Sequence, residues 1–589
     1  MSQQETKDMA KHFYRASAAD FMKIPGGPVA YWVSDSLRRV FETSDLLSEH
    51  ANIKQGLATC NNDLFLRYWY EVSFKKIGFG FSSRESAKNS DKKWFPYNKG
   101  GGFRHWYGNQ DVVVNWEFDG RDIHKYNKIP MEYSGAPVRA KSFYFREGIT
   151  YGLISSYGFS ARRVFKGAVF DVGGSMVFPD LSPNIVQGLM SSKLAESAVS
   201  ILNPTLNFQV GDIGKIPVNK EALFSVSEEP IERCINICKS DWDNYEASYD
   251  FKVIPFKLVS GLMGQLYKEY CSTCEDQVLD LKSSWEEVNR SILSAYNVKG
   301  IEPTVEPKKL TVNSNPIFRY GSDSEDNSSR FQSDTVSEII SYAVGCMMGR
   351  YSTDVEGLIL ANQGDTVENY LRQIPSPRFT PDDDAILPLT DQEWFADDAT
   401  NRFLEFVRVV WGDEHLQGNL DFVAESLCLH AIKSKRGESA LDTIRRYLST
   451  QFYKDHLRTY KKRPIYWLFS SGKHKAFECL VYLHRYNEGT LARMRTEYVI
   501  PLSAKLNAYA EKLEQDKEAS TSAAETKRLE KDIATLHKQQ TELAEFDEKL
   551  RHYADQRIGL DLDDGVKVNY GKFGDLLAEV KAVTGEKPQ

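Results

Sequence analysis

Residues 92–109, KKWFPYNKGGGFRHWYGN, combine six aromatic rings, four Lys or Arg residues, one histidine and three consecutive glycines. A buried core rarely accepts unpaired charged side chains, and adjacent glycines weaken a regular helix or strand. Rings and guanidinium groups contact nucleic-acid bases, cations contact phosphates, and glycine lets a backbone approach a ligand closely. The stretch therefore predicts a surface for a flat, negatively charged ligand. The alternative is an aromatic-rich β-hairpin in which residues 100–102 are simply a turn.

The charge distribution favours one basic segment on an acidic chain. The 589 residues carry a formal net charge of −8, which by itself argues against nucleic-acid binding. Residues 91–170, however, hold thirteen Lys or Arg against seven Asp or Glu, a local charge of +6, so the remaining residues carry −14. This asymmetry is compatible with one domain that faces DNA.

Composition predicts a globular protein of a reducing compartment. Hydrophobic residues make up 41% of the chain, enough to form cores throughout. The sequence has no apolar run long enough to span a membrane, and its polar N-terminus does not resemble a signal peptide. Eight cysteines in a chain of this length fit the cytosol. We therefore expect a cytoplasmic protein with no membrane partner.

The pattern of apolar residues changes near residue 219 from strand-like to helical. Short β-branched and aromatic runs, such as DVVVNWEF (111–118) and GAVFDVGGSMVF (167–178), predict strands between residues 56 and 218. After residue 228, apolar residues recur at helical spacing over many turns. The predicted fold class is therefore α+β, with a β-rich domain followed by a large, mainly α-helical region.

Breaker-rich and charged stretches divide the chain into predicted segments. These are residues 1–55, the β-rich residues 56–218, two helical segments at 219–390 and 391–500, and residues 501–589. A polar, serine-rich and acidic stretch near residues 319–334 predicts a linker inside the third segment. Leu529, Leu536, Leu543 and Leu550 recur every seven residues, which predicts a C-terminal helical hairpin in the last segment.

A second basic and aromatic cluster lies in the fourth segment. Its basic members are Lys461, Lys462, Arg463 and Lys473. They accompany two nearby rings, Tyr466 and Trp467. The combination predicts phosphate contact, and a solvated turn between helices is the alternative interpretation.

Motifs for catalysis are weak or missing. Asp171, Gly173 and Gly174 follow a predicted strand, as in loops that bind a nucleotide or S-adenosylmethionine, but the phosphate-binding spacings are absent. A structural turn is the preferred interpretation. Enzymes that methylate the exocyclic amine of adenine flip the base out and usually hold it with Asn/Asp/Ser-Pro-Pro-aromatic, whereas this chain contains no Pro-Pro dipeptide. We predict no catalytic residue and no metal site.

Several long motifs resemble a known family, in the same order along the chain. They include KQGLATCNNDLFLRYWYEVSF (54–74), KKWFPYNKGGGFRHWYGNQDVVVNWEFDG (92–120), SYAVGCMMGRYSTDVEGLILANQGD (341–365) and FYKDHLRTYKKRPIYWLFSSGKHKAFECLVYLHRY (452–486). They resemble the C-terminal half of PglX, the adenine-specific DNA methyltransferases of bacterial BREX phage-defence systems. The resemblance covers nearly the whole chain.

The resemblance implies a role for each half of such a protein. Residues 56–218 are expected to form a target-recognition domain, and residues 1–55 to connect it to a catalytic half that this chain lacks. S-adenosylmethionine is expected in that missing half, with no cofactor in this chain. The implied partners are duplex DNA, the catalytic half and other BREX components. A phage DNA-mimic inhibitor is a further candidate, on charge alone.

Within the target-recognition domain, the opening stretch and a later Arg-Arg pair supply candidate DNA contacts. The candidates for guanine edges are Arg104, Arg162 and Arg163, and those for adenine are Asn109 and Asn115. Lys92, Lys93 and Lys99 are candidates for phosphate contact. Trp94, Tyr97 and Trp106 are candidates for stacking or for the core.

A second class of function stays open. The acidic helical region fits a protein-interaction scaffold that recruits other defence components, with only minor DNA affinity. Phosphate-driven binding weakens steeply as salt rises, whereas a largely apolar protein interface changes little. Salt dependence therefore separates the two classes.

Overall fold

A computed structural model describes residues 17–203, 205–321 and 326–586. The chain is a mixed α+β protein with 51% helix, 10% strand and small sheets, which confirms the predicted fold class at that level. The chain forms two compact units. Unit 1 comprises the residues up to Leu66 together with Lys76–Asp243 and Thr273–Asp323, and unit 2 comprises Arg67–Lys75, Asn244–Ser272 and the residues from Ser324 onward. Neither unit coincides with one predicted segment, and the roles of those segments stay predictions.

Unit 1 holds most of the strands and a set of mainly short helices. Its helices are α1 (Ala18–Phe21), α2 (Asp35–Thr43), α3 (Leu47–His50), α4 (Asn62–Phe65), α5 (Arg84–Lys88), α6 (Glu117–Tyr126), α7 (Pro183–Met190), α8 (Lys193–Leu202), α9 (Val210–Ile213), α10 (Lys220–Phe224), α11 (Glu229–Asp243), α12 (Met263–Ala295), whose first turns belong to unit 2, and α13 (Pro316–Tyr320). Its strands are β1 (Asp45–Leu46), β2 (Ala51–Lys54), β3 (Leu66–Tyr68), where the chain passes into unit 2, β4 (Trp94–Asn98), β5 (Val112–Asn115), β6 (Gly148–Tyr151), β7 (Ala161–Val164), β8 (Val169–Phe170), β9 (Met176–Pro179) and β10 (Pro217–Val218).

Two small sheets organise unit 1. One has the order β2-β9-β6-β7, with every neighbouring pair antiparallel. In the other, β4 pairs antiparallel with β5 and parallel with β8. β4 and β6 are each followed by a long loop, residues 99–111 and 152–160 respectively, and both loops contain candidate functional residues.

Apolar residues from both sheets form two cores in unit 1. In one, Trp106 and Tyr151 pack with helices α7, α8, α11 and the unit 1 part of α12, which contributes Trp285. The other contains the rings of Phe95, Tyr97, Trp116, Tyr144 and Phe170. The aromatic residues of the strands therefore serve mainly to build the interior of unit 1.

Unit 2 is mainly helical. Its helices are α14 (Asp326–Met347), α15 (Val367–Gln373), α16 (Ala399–Trp411), α17 (Leu416–His430), α18 (Ala440–Thr450), α19 (Phe452–Thr459), α20 (Thr490–Arg493), α21 (Ile500–Ala519), α22 (Ala523–Asp555), α23 (Gly565–Gly571) and α24 (Val580–Thr584), with a π-helix at Met494–Val499. Its strands are β11 (Ile386–Pro388), β12 (Tyr466–Ser470) and β13 (Glu478–Tyr482).

Two predictions for unit 2 need correction. Residues 391–500 are not all helical, because β12 and β13 pair antiparallel and β11 joins β13. The alternating aromatic residues around Ser470-Ser471-Gly472 are typical of a strand pair. The prediction of a linker near residues 319–334 is also wrong for the second half of that stretch. Helix α14 begins at Asp326, and its residues Phe331 and Thr335 are buried.

The two terminal helices of the predicted hairpin are present as α21 and α22, joined by residues 520–522. Their apolar positions face inward: Leu506 and Leu513 of α21 and Leu536, Leu543 and Leu550 of α22 are buried. Leu529, near the hairpin tip, stays half-buried. In the part of the chain that the structure describes, every helix is too short or too polar to cross a membrane.

A buried histidine makes unit 2 sensitive to acid. His456 lies on α19, and its Nε2 accepts hydrogen bonds from the backbone N–H groups of Ile465 and Tyr466, each 3.1 Å long. An imidazole that accepts through Nε2 must be neutral. Burial lowers the pKa of His456 to about 3, and the charge of Arg350 acts in the same direction.

We predict that His456→Gln reduces the loss of stability in acid. The unfolded chain takes up a proton at His456 below about pH 6.5, which the folded protein resists, so its contribution to the free energy of unfolding falls by about 2 kcal/mol between about pH 7.5 and pH 5. Urea unfolding followed by circular dichroism at both pH values measures this. The exposed His430→Gln variant should lose stability with pH as the parent does, and an identical pH dependence in all three proteins would contradict the assignment.

Candidate nucleic-acid interface

The glycines at 100–102 form a loop that side chains would disturb. Gly100 and Gly101 have φ values of +91° and +111°, where other residues are strained. A Cβ at Gly100 would lie 2.6 Å from the carbonyl oxygen of Gly173, and one at Gly101 would lie 2.9 Å from the side chain of Asn109. The loop therefore needs glycine at both positions, as the predicted turn required.

Two polar side chains donate hydrogen bonds to backbone carbonyls of this glycine loop. The Asn109 amide donates a 2.7 Å hydrogen bond to the carbonyl of Gly102. The Arg162 guanidinium on β7 donates to the carbonyls of Gly102 (3.4 Å) and Gly100 (3.2 Å). Both residues were predicted to read bases, and both instead fix the backbone of the loop.

Arg162 is a fully buried cation whose charge is not matched by an acid. Its exposed fraction is 0%, and among the described residues no carboxylate pairs with it. Burial, together with the nearby charge of Arg104, lowers its pKa to about 10. Its Nε also lacks a hydrogen-bond acceptor in the described part of the chain. The backbone dipoles of the glycine loop therefore supply much of the stabilisation of this charge.

Arg104, the other main candidate for reading guanine, points into unit 1. Its guanidinium donates to the carbonyl of Thr311 at 2.9 Å and to the side chain of Asn313 at 2.6 Å. It also lies between two rings, 5.0 Å from the centroid of Trp242 and 5.2 Å from that of Phe318. This placement argues against the predicted contact with a base edge and makes Arg104 an internal anchor of the loop.

Arg163 and Asn115 are also engaged internally. Arg163 is 2% exposed and binds Glu147 (2.9 Å), Gln187 (2.9 Å) and Asn184 (2.6 Å). The buried Asn115 amide contacts Asp122, and its oxygen accepts from the N–H of residue 117. Since these partners already satisfy both side chains, their placement argues against base reading.

The three predicted stacking residues belong to the cores. Trp94, Tyr97 and Trp106 are 1%, 2% and 0% exposed. The Tyr97 hydroxyl donates to the Asp171 carboxylate (2.6 Å) and the Leu57 carbonyl (3.0 Å). None of the three rings offers a face to a ligand, because every residue of β4, which carries Trp94 and Tyr97, is buried and Trp106 is fully buried in the loop 99–111.

The predicted phosphate-binding lysines differ in their surroundings. Lys92 is half-buried and pairs with Asp91 at 3.1 Å. Lys93 is also half-buried, and its Nζ lies 5.6 Å from the ring of Trp94. Lys99 is exposed at the base of the glycine loop, and no carboxylate among the described residues pairs with it. Lys99 is therefore the lysine of this stretch best placed for a phosphate.

Sequence reasoning missed a pair of cations that share one ring. The Nζ of Lys54, on β2, lies 5.3 Å from the centroid of Phe143, and the guanidinium of Arg146 lies 5.0 Å from it. Within the described chain neither cation pairs with an acid. Lys54 and Arg146 lie 92 positions apart in the sequence, so only the pairing of β2 with β9 and β9 with β6 brings them together.

The turn after β8 connects this pair of cations to the glycine loop. Lys54 pairs with Met176 across the sheet. Gly174, two residues before Met176, packs tightly on β4, since a Cβ on it would lie 2.2 Å from the carbonyl oxygen of Asn98. Asp171 closes the turn by accepting from the N–H of Gly173 at 2.6 Å. We define the basic face of unit 1 as Lys54, Phe143, Arg146, Lys99 and the glycine loop.

The same turn does not fit S-adenosylmethionine. Both carboxylate oxygens of Asp171 are occupied, one by Gly173 and the other by Tyr97. Gly174 lies against the backbone of Asn98, which argues against a cofactor beside the glycines. The residues form a tight turn, as the preferred interpretation had it, and the absence of a cofactor stays a prediction.

The second basic cluster lies in unit 2, and only part of it is exposed. Lys461, Lys462 and Lys473 are exposed, and the Nζ of Lys461 lies 5.4 Å from the ring of Tyr68. Arg463 is half-buried and donates to the carbonyl of Val583 at 3.1 Å. Its accompanying rings, Tyr466 and Trp467, are fully buried in β12. The cluster therefore offers lysines, but no stacking ring from β12.

Comparison with known proteins indicates the class of molecule. The chain is 48% identical over 587 residues to the adenine-specific methyltransferase BrxX of Escherichia coli O9:H4 (strain HS), covering 97% of this chain and 46% of that protein. It is 36% identical over 581 residues to the adenine-specific methyltransferase PglX of Lacticaseibacillus casei (strain Zhang), covering 95% of this chain and 45% of that protein. No family model matches.

The predicted resemblance to adenine-specific methyltransferases is therefore confirmed over nearly the whole chain. The chain spans a little under half the length of the curated relatives that it matches. The prediction that it corresponds to their C-terminal half stays a prediction.

We predict that Arg162→Gln loosens the glycine loop. The carbonyls of Gly100 and Gly102 lose charged donors, and a hydrogen bond to a charged group stabilises by enough to change local opening about tenfold. Hydrogen exchange should therefore accelerate by about that factor at the amides of residues 101–103. Lys166→Gln, an exposed neighbour on the same stretch, serves as the control. Unchanged exchange of the loop in Arg162→Gln would contradict the role of Arg162.

Proposed function

We propose that this chain is the DNA-recognition part of an adenine-specific DNA methyltransferase and that it binds duplex DNA through the basic face of unit 1. The observation that carries the proposal is a set of cations, Lys54, Lys99 and Arg146, with which no acid of the described residues pairs, in the same unit as a loop in which glycine lets a backbone approach closely. Its context is the similarity to two adenine-specific methyltransferases.

The chemistry of these cations suits phosphates. A lysine or arginine already paired with a carboxylate must lose that partner before it binds a phosphate, whereas Lys54, Lys99 and Arg146 have no such partner in the described parts of the chain. A shared ring holds Lys54 and Arg146 near each other, which lowers the entropy lost when both bind one backbone. Phosphate contacts fix the register of a protein on DNA but carry no sequence information. Lys461, Lys462 and Lys473 of unit 2 are proposed as a second group of phosphate contacts.

Catalysis is proposed to lie outside this chain. The sequence has no Pro-Pro dipeptide, the element with which such enzymes usually hold the flipped adenine. The close packing of Gly174 on Asn98 and the hydrogen bond that Asp171 accepts from Gly173 support this, because they leave the turn after β8 poorly suited to S-adenosylmethionine. We therefore propose a separate catalytic part, supplied with S-adenosylmethionine, as the partner of this chain, together with other components of a BREX system. A DNA-mimicking phage inhibitor would compete for the basic face of unit 1.

A protein-interaction scaffold remains the second candidate function. The observation that favours it is the charge of −14 outside residues 91–170, since an acidic surface repels nucleic acid and suits basic protein partners. On this reading the chain would bind DNA weakly, and its affinity for DNA would not depend on the basic face of unit 1.

We predict that the triple variant Lys54→Gln, Lys99→Gln, Arg146→Gln weakens DNA binding and flattens its salt dependence. Each phosphate contact contributes about −0.9 to the slope of log K against log salt, so the slope should fall in magnitude by about 3. Fluorescence anisotropy of a labelled random-sequence duplex across a salt series measures both quantities.

The matched control removes exposed lysine charge elsewhere in unit 1. Lys220→Gln, at the start of α10, should bind with nearly the slope of the parent. The scaffold would be favoured if the parent and the triple variant had the same slope of log K against log salt. It would also be favoured if the parent did not bind DNA at low salt.

A further inference from the structure

A column of rings runs from the core of unit 1 to its surface. Trp285 of α12 is 3% exposed, and its ring centroid lies 4.5 Å from that of His105, which is 5% exposed, with the two rings tilted by 55°. His105 meets the half-buried Phe103 edge-on at 5.1 Å. Phe103 in turn lies 5.7 Å from Tyr157, whose ring is 70% exposed, at an interplanar angle of 37°. The column joins the glycine loop to the loop that follows β6.

The histidine in this column behaves as an uncharged ring. Burial lowers the pKa of His105 to about 3, and the positive charges of Lys309, Arg162 and Lys193 act in the same direction. The backbone N–H of His105 donates to the hydroxyl of Thr311 at 2.9 Å, which fixes the backbone that carries the ring. The support below Phe103 therefore stays neutral and fixed throughout the physiological pH range.

The outer end of the column belongs to an exposed apolar tip. Ile154, three residues before Tyr157 in the same loop, and Leu206 are 70% and 58% exposed. These side chains are held out by backbone hydrogen bonds: Ser155 N–H donates to the Leu206 carbonyl at 3.0 Å, and Phe208 N–H donates to the carbonyl of residue 153 at 2.8 Å. Contiguous exposed apolar residues on a fixed backbone mark an interaction site.

The surroundings of the tip favour a polyanion over an ordinary protein partner. Residues 99–110, 148–170, 203 and 205–208, which build the tip and its support, contain no Asp or Glu. The acids that contact them include Asp212, which accepts from Asn203 at 2.6 Å, and Glu147, which pairs with Arg163 at 2.9 Å. They do contain the exposed Lys99 and the buried Arg162, with which no carboxylate of the described residues pairs. Exposed rings among cations suit nucleic-acid bases beside phosphates.

We propose that Tyr157 is a stacking side chain that enters duplex DNA at an unstacked base step, with Phe103 and His105 as its rigid support and Ile154 and Leu206 as the apolar flanks of the wedge. Apolar and aromatic side chains that enter a duplex unstack neighbouring bases and kink the helix. The rings below Tyr157 restrict its motion before DNA binds, which lowers the entropic cost of insertion. This proposal rests on the proposed DNA-binding function and adds a residue that deforms the duplex.

The test separates binding from insertion. The full chain is titrated into a fluorescein-labelled duplex for affinity and salt slope, and into the same duplex with several adenines replaced by 2-aminopurine, whose fluorescence rises when the base unstacks. The parent should bind with a steep salt slope and raise the fluorescence. Tyr157→Ala should bind about tenfold more weakly, as expected for loss of one base–ring stack, with an unchanged slope and no rise in fluorescence.

Two further variants complete the experiment. Tyr157→Phe, which keeps the ring, should behave as the parent does. Tyr133→Ala, which removes a tyrosine that is 43% exposed on another loop of unit 1, should also leave affinity and fluorescence unchanged. Circular dichroism checks that each variant folds.

Two outcomes overturn the proposal in distinguishable ways. If the parent binds DNA with a steep salt slope but Tyr157→Ala matches it in affinity and 2-aminopurine signal, Tyr157 does not insert, while the DNA-binding function stands. If the parent does not bind the duplex even at low salt, the DNA-binding function fails and the insertion proposal fails with it.

Discussion

The hydrogen bonds from Arg162 to the carbonyls of Gly100 and Gly102 are the constraint on which the surface of unit 1 depends. A buried guanidinium without a carboxylate needs other acceptors, because desolvating a cation is costly. The glycine loop supplies them and is fixed in return. Fixing that loop also fixes Lys99 at one end and Phe103 at the other, so a single buried charge orients both a phosphate contact and the support of an exposed ring.

The sequence predicted the class of structure better than the direction of individual side chains. The α+β class, the glycine turn and the two terminal helices follow from periodicity and backbone preferences, which act locally. Arg104, Arg162 and Arg163 were predicted to face DNA because charge usually stays outside. They lie inside since backbone carbonyls, Asn313 and Glu147 accept from them, and such partners are distant in sequence.

The same distance explains what sequence reasoning missed. Lys54 and Arg146 become neighbours only through the register of β2 with β9 and of β9 with β6. Tyr157 was overlooked because its significance comes from Phe103, more than fifty residues earlier. The strands β12 and β13 were assigned to a helical segment because a short aromatic run between helices has no clear period. The local sequence pattern is enough to predict helices and strands, whereas the residues that share a surface depend on which distant segments of the chain pair in the fold.

Hydrogen exchange of the chain with and without a random-sequence duplex at low salt is the most direct test of where DNA binds. DNA should slow the exchange of amides in residues 99–103 and 153–158 and change it little in α10 (Lys220–Phe224), because the first two stretches build the basic face and its apolar tip. Protection confined to other parts of the chain, with residues 99–103 and 153–158 unchanged, would contradict DNA binding by unit 1 through the loop held by Arg162.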